Sequence, residues 1–275
     1  MFSMWLYPRM IAWFALTAFL GVAVRLPFAR FQMIPHHLDF NPGAVLVPLS
    51  GVFFGPAGAW GSMAASLAAD KLLGQWNGLA LFRALSFFFF ALTAQRLWDF
   101  SLLEGRPAAP EATGASALRY VFISWAGALL AATWQALGSE LLRVYPFAYI
   151  FSLLTLSHVV FCSLLGVPLY LVMAREWVAF FGEWRGVMGG ELDDGTTALR
   201  SASLLLVGAV GAPAAGLFIS RAVYHVGTFQ PFVLGAYTGF LVPLTVIPLL
   251  GAGVVGVFWG ARCGRLTHTL TRPDE

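Results

Sequence analysis

Long hydrophobic segments separated by short polar stretches run along the whole chain. Six of these segments are long enough to cross a bilayer as single helices, because about 20 apolar residues span a hydrocarbon core of about 30 Å. They are residues 10–26, 79–98, 118–138, 147–174, 202–223 and 232–260. The pattern predicts an all-α polytopic membrane protein.

A further apolar stretch, residues 42–74, is too long for one direct membrane crossing. As a straight helix it would be about 50 Å long, against a hydrocarbon core of about 30 Å. Pro56 lacks the amide hydrogen that a helix interior needs, and Gly55 is able to adopt the positive φ of a tight reversal. We therefore predict two short passes joined by a hinge at Gly55-Pro56, which brings the predicted total to eight membrane helices.

Composition agrees with this prediction. Of the 275 residues, 59% are hydrophobic and 11% are charged, and the mean hydropathy is +0.78, whereas globular domains average about 25% charged residues. The isoelectric point of about 9.1 does not indicate nucleic-acid binding, because the basic residues are scattered and form no stripe. Cys162 and Cys263 lie far apart without CxxC spacing, which favours two buried small hydrophobic residues over a disulfide or metal cluster.

The arginines favour one orientation in the membrane, since cytoplasmic loops are enriched in Lys and Arg. A single pass through residues 42–74 would invert every later helix and place most arginines outside, so the charge pattern supports the hinge. Both termini are predicted to be cytoplasmic. With eight helices, ten arginines fall on the inner side (Arg9, Arg96, Arg106, Arg119, Arg175, Arg185, Arg200, Arg262, Arg265 and Arg272) and four on the outer side (Arg25, Arg30, Arg143 and Arg221).

The chain divides into three predicted parts. Residues 1–175 form a six-helix membrane unit, and residues 199–275 form a two-helix C-terminal extension. Between them, residues 176–198 carry aromatic and charged residues at helical spacing, which favours a short amphipathic helix on the inner membrane surface. Anchoring in the interface is the simpler role for these aromatic residues, and contact with a partner protein is the alternative.

Ionisable and amide side chains gather at the predicted outer ends of several helices. Such groups are costly inside a bilayer and usually face a cavity or one another, so each is a candidate for function. An outward-facing cavity with aromatic and polar walls suits a small polar ligand. The candidate ligand-binding residues are Asp70, Lys71, Gln75, Trp76, Asn77, Arg83, Trp134, Gln135, Glu140 and His158, with His36 and Asn41 from the first outer loop.

Several candidates also have a purely structural interpretation. Asp70 can form an ion pair with Lys71 or Arg83 that neutralises both charges. Glu140 lies close enough to the interface to extend its carboxylate into water. His158 can be a hydrogen-bonded core histidine, since one histidine alone defines no metal site. The sequence leaves both interpretations open for each residue.

Signatures of catalysis are absent from the sequence. It has no HExxH, GxSxG or Walker motif and no paired carboxylates within a helix. His36, His37 and Asp39 have a composition that can bind a metal, but adjacent histidines lack the i, i+4 spacing that puts two imidazoles on one helical face. We therefore predict no enzyme, no metal centre and no cofactor.

One stretch resembles a known family, the substrate-binding S components of energy-coupling factor (ECF) transporters. In that family the second and third helices carry a proline-glycine start, a PLxGxxFGP hinge and a small-residue helix that ends in Asp. The similarity extends over about residues 1–175. The matching residues are Pro42-Gly43, Pro48-Leu49 with Gly51 and Phe54-Gly55-Pro56, and Asp70.

The resemblance implies a six-helix substrate-capture subunit in a bacterial cytoplasmic membrane, with two extra helices here. Such a subunit binds a vitamin-like or cofactor-precursor ligand from outside and works with a membrane coupling subunit and ATPase subunits. The first helix departs from the family's Ala-xxx-Ala docking stripe, since its small residues recur every third position, and the helices after Arg200 have no counterpart in the six-helix unit. The alternative is a membrane sensory or scaffold module without transport activity.

Overall fold

The computed structural model describes residues 2–29, 31–34, 38–39, 41–100, 110–181, 184, 187, 195–222 and 240–259. These residues are helical apart from loops and one short antiparallel pairing in the first loop. There β1 (Gln32–Ile34) pairs with β2 (Leu38–Asp39), which the sequence did not indicate. The α-helices are α1 (Pro8–Phe28), α2 (Leu46–Phe54), α3 (Pro56–Leu72), α4 (Gly78–Phe100), α5 (Gly114–Leu141), α6 (Phe147–Leu164), α7 (Gly166–Phe181), α8 (Gly195–Leu206), α9 (Ala212–Ala222) and α10 (Leu241–Trp259).

Helix length and hydropathy identify a multi-pass membrane protein, as the sequence predicts. Among the described residues, six helical stretches are long and apolar enough to cross a membrane. The helices of residues 42–72 are shorter, so these two criteria do not establish a total of eight. The six stretches are Pro8–Phe28, Gly78–Asp99, Gly114–Leu141, Phe147–Leu164, Arg200–Ala222 and Leu241–Trp259.

The chain reverses direction at Gly55, between α2 and α3. Gly55 has φ 58°, a value that glycine adopts without strain. The reversal brings Ser50 of α2 against α3, where its hydroxyl lies 3.0 Å from the Ser62 hydroxyl and donates to the Gly58 carbonyl oxygen at 3.4 Å. The helix break predicted at Gly55-Pro56 is therefore present, and the two short helices pack as a hairpin.

Small residues allow α1 and α3 to pack closely. A Cβ atom added to Gly21 of α1 would lie 2.6 Å from Ala65 Cβ, and one added to Gly61 of α3 would lie 2.6 Å from Thr17 Cβ. Real Cβ atoms do not approach so closely, so both glycines are required where the helices meet. This contact fixes the register of α1 against α3.

The predicted helix of residues 147–174 is interrupted in the structure. α6 ends at Leu164, and α7 begins at Gly166. Pro168 accounts for the break, because it has no N–H to donate to the Leu164 carbonyl oxygen and its ring crowds that group. α7 then continues to Phe181 and includes the beginning of the predicted amphipathic segment. Most of the rest of that segment lies outside the described residues.

The C-terminal helices share a core with the preceding ones. α8 passes through a π-helical turn (Val207–Gly211) into α9, and α10 packs beside them. One hydrophobic cluster joins Leu205 of α8 and Leu250 of α10 to Phe90 of α4 and Leu130 of α5. The C-terminal helices thus cover one flank of the bundle, while α1, α2 and α3 lie on the other.

Candidate functional site

A buried ionic cluster joins α1, α3 and α4. Asp70, in the last turn of α3, is fully buried, and Arg25 and Arg83 are 4% and 6% exposed. Arg25 Nη2 lies 2.6 Å from Asp70 Oδ1, and Arg83 Nη1 donates to the same oxygen. Each guanidinium faces an opposite charge, which offsets part of the cost of removing it from water.

The turn after α3 brings Gln75 to the same cluster. The backbone turns at Gly74, with φ 67°, and the Gln75 amide donates to the Asp70 carbonyl oxygen at 2.8 Å, as in the Schellman motif that ends many helices. Gln75 Oε1 then accepts from Arg25 Nη2 at 3.3 Å and from Arg83 Nη1 at 3.4 Å. Gln75 and Asp70 therefore hold the two guanidinium groups together.

A narrow cleft opens beside the two arginines. The space that water can occupy in it is about 20 Å³, which is room for about one water molecule. Of the described residues that form its walls, two are cationic and none is acidic. The walls consist of Arg25, Asn41, Arg83, Phe87, Gln135, Leu154, Ser157 and His158.

His158 and Gln135 supply neutral polar groups to this cleft. His158 of α6 is 3% exposed, with its ring centroid 5.7 Å from that of Phe90 and 6.2 Å from that of Phe87. Its Nδ1 has no hydrogen-bond partner within the described part of the chain. Gln135 of α5 is fixed by a hydrogen bond of 2.9 Å from its Nε2 to the Ser86 hydroxyl. His158 thus brings an unsatisfied buried polar atom to the cleft.

A second lobe of the cleft runs between α1, α2 and α3. It shares Arg25, Asn41 and Phe87 with the first lobe. Asn41 Oδ1 is buried and accepts no hydrogen bond from the residues that the structure describes. The other walls of this lobe are mostly small or hydroxyl-bearing: Thr17, Gly21, Gly43, Leu46, Val47, Ser62, Ala65 and Ser66.

The predicted site residues fall into distinct groups. Trp134 is not among the described residues that line the cleft, and its ring stacks on Phe89 of the hydrophobic core at a centroid distance of 5.2 Å. Lys71 and Trp76 are exposed, with Lys71 Nζ 5.8 Å from the centre of the Trp76 ring. His36 lies outside the described residues. Those that meet at the cluster and the cleft are Asn41, Asp70, Gln75, Arg83, Gln135 and His158.

Glu140 and Asn77 have contacts with the N-terminal ends of helices. Glu140 Oε2 accepts from the Phe147 amide at 2.6 Å, at the beginning of α6. Asn77 Oδ1 accepts from the Leu79 and Ala80 amides at 3.0 and 3.2 Å, at the beginning of α4. The first amides of a helix have no partner within it, so both side chains stabilise their helices.

We expect Asn77→Ala to lower the free energy of unfolding by about 1 kcal/mol, because the first amides of α4 lose their acceptor. Titration of the purified protein with SDS in mixed micelles measures this loss. Asn77→Ser retains an acceptor and is the matched control. A variant Asn77→Ala that unfolds like the unaltered protein would contradict the capping role.

Arg25 is the site residue that sequence reasoning missed, since it was counted only among the outer charges. Its place follows from the register of α1 against α3. Thr17, Gly21 and Arg25 are spaced by four residues, so they share the face of α1 that packs on Gly61 and Ala65. That four-residue spacing was the available signal in the sequence.

The fold and the site define a class of protein, namely a multi-pass helical membrane protein with a buried ionic cluster beside a small cleft. Comparison of the chain with protein-family models, with curated proteins and with solved structures finds no match. The function is therefore argued from the chemistry of the site.

Proposed function

We propose that this protein captures a small polar ligand at the outer face of a membrane, as the substrate-capture subunit of an ECF-type uptake transporter. The observation that carries the proposal is the cluster of Arg25, Asp70 and Arg83, buried among membrane helices beside a cleft lined by Asn41 and His158. Ionisable groups at such positions are costly and mark the paths of ligands and ions.

The proposal includes eight membrane passes, of which α2 and α3 are the two short ones. Because the chain reverses at Gly55, α4 and the later helices keep the orientation that places most arginines on the cytoplasmic side. Arg25, which was counted among the outer charges, is buried in the cluster, so it is not a charge of the outer loop. The excess of arginines on the inner side is therefore larger, which supports cytoplasmic termini and a cleft facing outward.

The role requires partners and no catalysis by this chain. A capture subunit binds its ligand, while separate ATPase subunits and a membrane coupling subunit supply the energy and the path. The sequence contains no Walker motif, which agrees with an external source of energy. We place this complex in a bacterial cytoplasmic membrane, where a micronutrient such as a vitamin or cofactor precursor would be the ligand.

The cleft has to widen before a ligand of this kind can enter. Its space of about 20 Å³ is far below the roughly 300–1,000 Å³ of sites for vitamin-sized ligands. Helices or side chains around Asn41 and His158 must therefore move apart on binding. Capture by this protein would then be accompanied by a conformational change at the outer end of the bundle.

Mass spectrometry of the protein purified from its native host tests the proposal. We expect a stoichiometric small molecule to be released on denaturation, and calorimetry with that molecule to give tight binding. Arg83→Gln should weaken binding strongly, whereas Glu176→Gln, an exposed carboxylate on α7, should leave it unchanged. Absence of a bound molecule, together with no thermal stabilisation by any vitamin or cofactor precursor, would contradict the proposal.

A membrane sensory or scaffold module is the second candidate, and one observation favours it. Asp70 Oδ1 is paired with Arg25 and Arg83 without a ligand, as in a purely structural ion cluster. Affinity purification from native membranes separates the two functions. Recovery of ATPase subunits with the protein supports capture, and recovery of a complex with no ATPase supports the sensory role.

A further inference from the structure

We infer that the ligand of this cleft is an organic anion whose carboxylate or phosphate group binds Arg25 and Arg83. The inference rests on the proposed function, since it gives the chemical class of the ligand for the same site. It follows from the charges on the cleft walls, from the way the arginines are held, and from the neutral polar atoms around them.

The walls present positive charge to anything that enters. Arg25 lines both lobes and Arg83 lines the first, while no acidic residue is among the described lining residues of either lobe. Asp70 is fully buried and lies outside the lining. A ligand in the cleft therefore meets the guanidinium groups and is separated from the carboxylate. Planar guanidinium groups match carboxylate and phosphate oxygens in geometry.

The arginines are held in place before any ligand binds. Asp70 accepts from both side chains, with Arg25 Nη2 at 2.6 Å, and Gln75 Oε1 lies 3.3 Å and 3.4 Å from the same two groups. The long arginine side chains have thus already lost their rotational freedom, which lowers the entropy cost of binding. Because a guanidinium carries five N–H donors, its contact with Asp70 does not by itself exclude a contact with a ligand.

Neutral polar atoms complete the site. His158 is 3% exposed, and its Nδ1 has no partner among the described residues. Asn41 Oδ1 is also buried and accepts no hydrogen bond there, and both side chains line the cleft. Buried polar atoms are rarely left without partners. A ligand whose hydrogen-bonding groups reach these two atoms would satisfy them while its anionic group binds the arginines.

Matched pairs of acids and neutral analogues test the inference on the unaltered protein. The pairs are nicotinate with nicotinamide, pantothenate with panthenol, biotin with biotinamide, and pyridoxal 5′-phosphate with pyridoxal. The full chain is purified in dodecyl maltoside, a detergent without an anionic group, and binding is measured by thermal shift and calorimetry. We expect the acid of any pair that binds to bind about tenfold or more tightly than its neutral analogue.

The possible outcomes separate the inference from the proposed function. Equal or tighter binding of a neutral analogue would overturn the inference and leave the proposed function standing. A cooperative thermal transition that no compound in the panel shifts would count against both. If dioctanoyl phosphatidylglycerol binds and none of the soluble acids does, the anion site belongs to a lipid headgroup. The inference that a soluble organic anion is captured would then be overturned.

Variants add a test that depends on one side chain. Arg83→Gln should weaken binding of the acid about tenfold or more and leave the affinity for the neutral analogue unchanged. Arg143→Gln removes an exposed charge at the same end of the bundle and should alter neither. If Arg83→Gln does not fold, Arg83→Lys keeps the charge and loses the planar fork. Unchanged binding of the acid by either folded Arg83 variant would contradict the inference.

Discussion

Replacing Asp70 by Ala is expected to lower the free energy of unfolding by about 3–5 kcal/mol, because it leaves two buried guanidinium groups without their carboxylate. Arg25 and Arg83 both contact Asp70 Oδ1 and are 4% and 6% exposed, so little water can reach them to replace the lost interaction. Titration with SDS in mixed micelles measures the change. The unfolding free energy of Asp70→Asn should lie between those of the unaltered protein and Asp70→Ala.

Glu176→Gln is the matched control for this change. Its carboxylate is 59% exposed and lies 3.5 Å from Arg175 Nε, on a side chain that is 80% exposed. Exposed pairs contribute about 0–1 kcal/mol, so the control should unfold almost as the unaltered protein does. Equal stabilities of Asp70→Ala and Glu176→Gln would mean that the buried cluster does not stabilise the fold.

Gly51→Ala is expected to destabilise the protein by about 3 kcal/mol, at the upper end of the range for an overfilled core. Gly51 lies in α2 against α4, and an added Cβ would overlap the carbonyl oxygen of Ala91 and lie 2.8 Å from its carbonyl carbon. Backbone atoms inside a helix cannot move aside as a flexible side chain does. The two helices must therefore separate.

Gly251→Ala in α10 is the control for Gly51→Ala. An added Cβ at Gly251 has no neighbour within 4 Å among the described atoms. Both glycines lie inside helices, so both changes gain the same helix propensity, about 0.5–1 kcal/mol. The difference in unfolding free energy between the two variants isolates the clash. If both variants were equally stabilised, the close contact of α2 with α4 would be contradicted.

The sequence predicted the helices and the reversal because both depend on local chemistry. Hydropathy over about 20 residues locates a membrane helix, and the combination of Gly55 and Pro56 ends one helix and begins the next. Pro168 is a local signal of the same kind for the break between α6 and α7. It was missed because the apolar run continues through it.

Part of the candidate site was also within reach of the sequence. Asp70 and Arg83 lie on consecutive helices at the ends that the intervening turn joins, so their meeting follows from a short connection. Arg25 joins them only because α1 packs on α3 in one register, which depends on contacts between small residues across the two helices. The four-residue spacing of Thr17, Gly21 and Arg25 marks one face of α1, but the sequence does not say which helix that face packs on.

Trp134 and Gln135 show why side-chain direction was harder to predict. They are neighbours on α5, yet Gln135 lines the cleft and Trp134 stacks on Phe89 in the core. Lipid is as apolar as a neighbouring helix, so an apolar residue of α5 such as Trp134 does not indicate by its type which way it faces. For the same reason, the sequence did not indicate which face of the bundle α8, α9 and α10 cover.

The order of the charged residues along the chain has a consequence for synthesis at the ribosome. Arg25, Asp70 and Arg83 all lie within the first 83 of 275 residues, on helices that precede α5. A segment such as α3, with Asp70 and Lys71 at its end, enters a bilayer poorly by itself. The Asp70 carboxylate is paired once α1 and α4 accompany α3. The first four helices are therefore expected to leave the translocon together, as a unit in which Asp70 already has its partners before the rest of the bundle exists.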